Sequence, residues 1–71
     1  MKLPRDLSGR EIIAALRRLG YGVVRQTGSH VQLSRDHLHV TVPLHTPVRP
    51  GTLKSILRQA GITIEELMGA L

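Results

Sequence analysis

The sequence predicts an α+β fold with the element order α-β-β-β-α, in which helices cover one face of a three-stranded antiparallel sheet. Three observations predict it. An apolar repeat of helical spacing lies before residue 20, apolar and polar residues alternate within residues 21–43, and a second helical repeat follows residue 51. Packing the helices on one side of such a sheet is the simplest way to bury these apolar surfaces. We expect residues 1–71 to form a single domain.

The first helix is predicted at residues 9–19. Ser8 followed by Glu11 is a capping box, in which each side chain accepts a hydrogen bond from the backbone amide of the other residue. The apolar residues that follow at helical spacing are Ile12, Ile13, Leu16 and Leu19. Gly20 then stands where a left-handed residue commonly ends a helix.

Three strands are predicted next, the first of them at residues 22–27. The second and third strands can be aligned if Arg35 and Asp36 form a two-residue turn. Their apolar residues then pair on one face of the sheet, as Leu33 with Leu38 and Val31 with Val40. In this register His30 faces Thr41 and lies on the opposite face, which is turned away from the core.

The same register makes His39 a diagonal neighbour of His30 on the outer face, at about 7–8 Å. A phosphate would fit in that gap, between a proton donor and a proton acceptor. The alternative, which we favour, is that His39 is a solvated strand residue.

A loop and two further helices complete the predicted fold. Three prolines make residues 43–50 irregular. A second helix is predicted from Gly51 to the terminating Gly61, and Thr63 with Glu66 forms a capping box that predicts a short third helix. The apolar stripe of the second helix consists of Leu53, Ile56, Leu57 and Ala60. This order of elements is that of the double-stranded-RNA-binding-domain type of fold.

The composition is compatible with a polyanionic partner. Ten Lys and Arg residues against five Asp and Glu residues give a formal net charge of +5, which creates a positive surface potential on a small domain. Ordinary solubility is an equally good explanation of that charge. Because the chain contains a single aromatic residue, we expect nucleic-acid contacts to phosphates rather than stacking of bases on aromatic rings.

The sequence lacks two features that would indicate secretion or a membrane location. The chain has no cysteine, which excludes disulfides and thiolate zinc sites. No apolar run approaches the length needed to cross a bilayer. We therefore expect a cytoplasmic protein with no membrane partner.

The motif Gly28-Ser29-His30 carries the most functional information. It places one histidine at the exit of a predicted tight turn, where a strand begins. Histidine is the only side chain whose unperturbed pKa lies near neutral pH, so it can take up or release a proton during catalysis. His30 is therefore a candidate acid or base, and the alternative is an ordinary surface histidine beside Thr41.

Two runs of sequence resemble the HicA family of toxin endoribonucleases. The first is Arg-Gln-Thr-Gly-Ser-His at residues 25–30, and the second is Gly-Thr-Leu-Lys-Ser-Ile-Leu at residues 51–57. The resemblance implies a ribosome-independent toxin that cleaves mRNA, a HicB-type antitoxin that covers its active site, and His30 as the catalytic residue. Many relatives carry a second histidine after the first. This chain has Val31 there, which the strand alternation directs into the core.

Four further residues are predicted to contact RNA. Ser29 lies in the turn beside His30, and Arg25 is close in sequence, although the pattern does not settle which face of the sheet it occupies. Lys54 and Arg58 lie four residues apart on the exposed side of the second helix, where double-stranded-RNA-binding domains bring cations to phosphates. A solvated basic helix face is the alternative for this pair.

No metal or other cofactor is expected. Metal-free RNA cleavage needs a base for the 2′-hydroxyl, a cation near the phosphate and a proton for the leaving 5′-oxygen. A zinc site formed by His37, His39 and His45 is the metal alternative, but their spacing matches no recognised zinc pattern.

The sequence thus predicts an endoribonuclease toxin that acts through His30. One alternative is a non-catalytic RNA-binding module of the same fold, in which His30 only makes a hydrogen bond. Another is an interaction protein whose basic surface binds an acidic partner. The endoribonuclease and the non-catalytic module would bind RNA through the same cations. In the sequence, only the resemblance to the family motif distinguishes them.

Overall fold

The computed structural model describes residues 3–71, and residues 1–2 of the predicted domain lie outside this range. The elements occur in the predicted order. They are α1 (Gly9–Arg18), β1 (Gly22–Thr27), β2 (His30–Arg35), β3 (Leu38–Pro43), α2 (Pro50–Ala60) and α3 (Ile64–Gly69). The strands form one antiparallel sheet in the order β1-β2-β3. The predicted fold class is therefore confirmed.

Both predicted capping boxes are present. The Ser8 hydroxyl accepts a hydrogen bond from the Glu11 amide at 3.1 Å, and the Glu11 carboxylate accepts one from the Ser8 amide at 3.0 Å. Thr63 and Glu66 make the same reciprocal pair at the start of α3, at 3.1 and 2.9 Å. These bonds satisfy amides that have no partner within the helix, so α1 and α3 begin where the sequence predicts. In the part of the chain that the structure describes, no helix is long and apolar enough to cross a membrane.

The turn between β2 and β3 differs from the prediction by one residue. It consists of Asp36 and His37, so that Arg35 belongs to β2 and pairs with Leu38. Asp36 has a φ of 55°. Aspartate adopts this left-handed conformation more readily than arginine because its short side chain can hydrogen-bond to the nearby backbone.

The register of β2 against β3 is consequently shifted by two residues, and the predicted strand pairs are wrong. Val31 pairs with Val42, and Leu33 pairs with Val40. All four side chains are nevertheless buried, and Val31, Leu33 and Val40 lie on the face predicted for them. Side chains alternate with a period of two along a strand, so a shift of two residues changes every partner and no face.

The core lies between the inner face of the sheet and the three helices. The helical residues that contribute buried side chains are Ile12, Ala15, Leu16, Leu53, Ile56, Ala60, Ile64 and Leu67. Each large side chain among them stabilises the fold by about 1.5–3 kcal/mol relative to exposure. Tyr21 is also buried, and its hydroxyl donates a 2.6 Å hydrogen bond to the Ala60 carbonyl. This bond joins the start of the strand region to the end of α2.

The two edges of the sheet have different surroundings. The Gln59 side chain on α2 accepts a 3.0 Å hydrogen bond from the Thr41 amide, so α2 lies along β3 and satisfies an edge group that would otherwise be free. Every residue of β1 is exposed, and Val23 and Val24 are 48% and 58% exposed. The position of α2 beside β3 creates the groove that contains His30.

Candidate active site

A two-residue turn presents His30 at the start of β2. Gly28 and Ser29 form this turn, and Gly28 has a φ of 59°, which glycine adopts at little cost because it lacks a Cβ atom. The Gln26 side-chain amide donates a 2.9 Å hydrogen bond to the Gly28 carbonyl. On the other side, the Leu44 amide donates a 2.6 Å hydrogen bond to the Ser29 carbonyl. The backbone before His30 is therefore held from β1 on one side and from the residue after β3 on the other.

His30 is exposed and lines an open groove between the outer face of the sheet and α2. The groove has a volume of about 440 Å³, which lies within the range of sites that bind small ligands. Its polar lining residues besides His30 are Thr41, His45, Thr52, Ser55 and Gln59. No carboxylate within residues 3–71 lines it, so an anionic ligand would meet no negative side chain there.

Gln59 organises the α2 side of the groove. Its Oε1 atom accepts the hydrogen bond from Thr41, and its Nε2 atom donates to the Ser55 hydroxyl at 3.3 Å. Thr52, Ser55 and Gln59 share one side of the helix because they are three and four residues apart. These three residues were not predicted from the sequence. Their helical spacing was the available signal, but a solvated helix face has the same spacing.

His39 does not lie beside His30. It pairs with Ser34, which is four residues from His30 along β2, or about 13 Å at 3.3 Å per residue. The predicted diagonal contact is wrong, and the two-residue shift in register is the cause. Within residues 3–71, no three His, Cys, Asp or Glu side chains are placed to hold one metal ion, so His37 and His45 do not join His39 in the alternative zinc site.

Arg25 lies on the same face of the sheet as His30. A β-bulge at Val24 shifts the register, and Arg25 pairs with Gln32. Gln32 is two positions from His30 on β2, so both side chains point to the same face. Arg25 is thus a diagonal neighbour of His30, at roughly 7–8 Å. This resolves the question of its face, which the sequence left open.

The other predicted RNA-binding residues are spread over the surface. Ser29 is exposed in the turn next to His30. Lys54 and Arg58 are exposed on α2 but do not line the groove. The two residues are four apart and therefore share one side of α2. RNA contacts by these residues stay predictions.

The part of the chain that forms this site also matches a known protein family. A family model described as "HicA toxin of bacterial toxin-antitoxin" matches residues 9–62. The match includes α1, the whole sheet, every residue that lines the groove, and α2. No curated protein matches the chain. Because the family match covers well over half of the sequence, the chain belongs to the HicA family of toxins from bacterial toxin–antitoxin systems.

Proposed function

We propose that the chain is an endoribonuclease that cleaves mRNA independently of the ribosome, at the groove containing His30. The observation that carries this proposal is the setting of His30. Its imidazole is exposed, its backbone is held by a hydrogen-bonded turn, and it faces an open groove without carboxylates in the described part of the chain. Such a groove accepts an anionic strand and offers it a group that transfers protons near neutral pH.

The reaction that suits this site uses the RNA's own 2′-hydroxyl as nucleophile. A base removes the hydroxyl proton, the oxygen attacks the adjacent phosphorus, and the 5′-oxygen leaves with a proton from an acid. His30 serves as the base or the acid. Arg25, on the same face of the sheet, lies near enough to neutralise charge that develops on the phosphate.

The start of α2 adds positive potential to the groove. Gly51 and Thr52 line it, and the N-cap residue Arg49 makes no side-chain hydrogen bond to the first turn. The partial positive charge of this helix end favours a phosphate nearby. Ser29, exposed in the turn next to His30, and Arg58, exposed on α2, would extend the RNA-binding surface to neighbouring nucleotides.

The antitoxin partner is proposed to be a HicB-type protein that covers this groove and thereby excludes mRNA. The net charge of +5 favours an acidic surface on that partner. Arg10 and Arg17 on α1 line a second groove, on the β1 side, and supply cations that such a surface can contact. Action on mRNA would place the toxin in the cytoplasm.

Cleavage by the purified protein tests the proposal. An mRNA transcript should be cut in buffer that contains EDTA, because the acid–base chemistry of His30 needs no metal ion. Within the strands and the turns that join them, residues 22–43, Asp36 is the single acidic residue. It is six residues from His30, or roughly 20 Å along β2, too far to share a metal ion with that histidine. A two-metal nuclease gathers several acidic ligands at its site. Complete loss of cleavage in EDTA, with recovery in zinc or magnesium, would contradict the proposed mechanism.

Lys54→Ala tests whether α2 contacts phosphates outside the groove. If Lys54 neutralises one phosphate, the substitution should weaken binding of all RNA sequences by a similar factor. The slope of log affinity against log salt concentration should become shallower by about 0.7 for single-stranded RNA. Lys54→Arg keeps the charge and is the matched control. An unchanged slope in Lys54→Ala would place Lys54 on a solvated helix face.

A further inference from the structure

A second histidine shares the groove of His30. His45 follows β3 by two residues, is exposed, and lines the groove together with His30. The sequence pattern alone indicates no catalytic partner for it. The strand register explains why the structure brings the two histidines together.

The observed register makes His45 the diagonal neighbour of His30. His30 pairs with Pro43, and the hydrogen bond from the Leu44 amide to the Ser29 carbonyl continues the ladder beyond the end of β3. His45 is two residues after Pro43, so by alternation it lies on the same face as His30. Diagonal neighbours of this kind are about 7–8 Å apart. His45 is therefore a diagonal neighbour of His30, as His39 is in the predicted register, but it lies on the opposite diagonal.

The backbone of His45 is also fixed. Its carbonyl accepts a 2.9 Å hydrogen bond from the Gly9 amide at the start of α1. A few residues later the Val48 amide donates a 2.7 Å hydrogen bond to the Leu7 carbonyl, which anchors the same loop to the segment before α1. The His45 imidazole thus projects from an anchored backbone into an open groove, as the His30 imidazole does.

We propose that His45 is the second proton-transfer residue of this site. The inference rests on the proposed ribonuclease function. One imidazole of the pair takes the proton of the 2′-hydroxyl as the 2′-oxygen forms a bond to phosphorus. The other, protonated, gives its proton to the 5′-oxygen as the bond from that oxygen to phosphorus breaks. The products are a 2′,3′-cyclic phosphate and a 5′-hydroxyl end, so the step consumes no water or other reactant.

Single-turnover cleavage of a short RNA by the wild type and four variants tests this pairing. The variants are His30→Ala, His45→Ala, His45→Gln and His37→Ala. His45→Ala should slow cleavage by a factor of about 10²–10⁴, which is the usual contribution of one proton-transfer group. His37 lies in the turn after β2, outside the groove, so His37→Ala should cleave at the wild-type rate. His45→Gln, which keeps a polar side chain but transfers no proton, should be as slow as His45→Ala.

The same RNA with sulfur in place of the leaving 5′-oxygen separates proton transfer from a structural effect. A thiolate leaves without being protonated, so the variant that lacks the acid should recover most of its rate on this substrate. The variant that lacks the base should stay slow. Recovery of one of the two variants, either His30→Ala or His45→Ala, is the expected result.

Three outcomes would overturn the assignment of His45. A folded His45→Ala protein that cleaves the normal RNA at the wild-type rate would remove His45 from the chemistry and leave the ribonuclease function standing. If the sulfur-containing RNA restores the cleavage rate of neither slow variant, the two histidines do not form an acid–base pair. Absence of cleavage by the wild type would overturn both the pairing and the proposed function. Circular dichroism and thermal unfolding establish that each variant is folded.

Discussion

Replacement of His30 with alanine should abolish growth arrest and mRNA cleavage in a host cell while leaving the fold intact. His30 is exposed and makes no side-chain hydrogen bond among the described residues, so its removal creates no cavity and leaves no buried group without a partner. The loss of one proton-transfer group costs about 10²–10⁴ in rate. Growth after induction and primer extension on abundant transcripts measure the two effects.

His39→Ala is the matched control for this experiment. His39 is an exposed histidine on the same face of the sheet, roughly 13 Å along the strands from His30, so its loss should leave toxicity unchanged. Co-expression of a HicB-type antitoxin should restore growth of cells that carry the wild type. Equal growth arrest by a folded His30→Ala protein would favour the alternative of a non-catalytic RNA-binding module.

The helices could be predicted closely because their ends are encoded locally. Capping boxes at Ser8 and Thr63 and a left-handed glycine at Gly61 satisfy backbone groups within a few residues. Such signals do not depend on the rest of the fold. The start of α2 lacks a side-chain cap, yet Pro50 is favoured in the first turn of a helix, and α2 begins there, one residue before the predicted Gly51.

The strand register could not be obtained from apolar alternation alone. A shift of two residues keeps Val31 and Leu33 on the buried face, so both registers satisfy the same pattern. The distinguishing signal lies in the turn. A two-residue hairpin turn of the favoured type needs a positive φ at its first residue, and Asp36 meets that need better than Arg35. Turn chemistry therefore decides which histidine accompanies His30.

The groove itself depends on tertiary packing. No local pattern indicates that α2 lies along the edge of β3, which is what brings Ser55 and Gln59 to the outer face of the sheet. The bulge at Val24 is similarly invisible to a period-two pattern, and it determines the face of Arg25. The sequence could identify His30 through its motif, but not the surface around it.

Gly9→Ala should destabilise the protein and reduce cleavage, although alanine is the better helix former. A Cβ atom at residue 9 would overlap the Pro43 carbonyl oxygen and press on the Leu44 backbone. Both contacts are backbone atoms that cannot rotate away, so α1 must move from the end of β3. Overpacking of this kind costs about 1–3 kcal/mol. For a domain of this size each kcal/mol lowers the Tm by roughly 4–8 °C, which thermal unfolding measures.

Gly69→Ala is the control that isolates this close contact. Gly69 is helical in α3, and nothing lies within 4 Å of the Cβ atom that alanine would add there. The substitution should therefore leave the stability of the protein unchanged or raise it by about 0.4–1 kcal/mol, because alanine lowers the conformational entropy of the unfolded chain. Movement of α1 also strains the bond from the Gly9 amide to the His45 carbonyl, so Gly9→Ala should slow RNA cleavage even below its Tm, while Gly69→Ala should not. A Gly9→Ala protein as stable and as active as Gly69→Ala would show that the contact between α1 and the end of β3 is looser than this geometry requires.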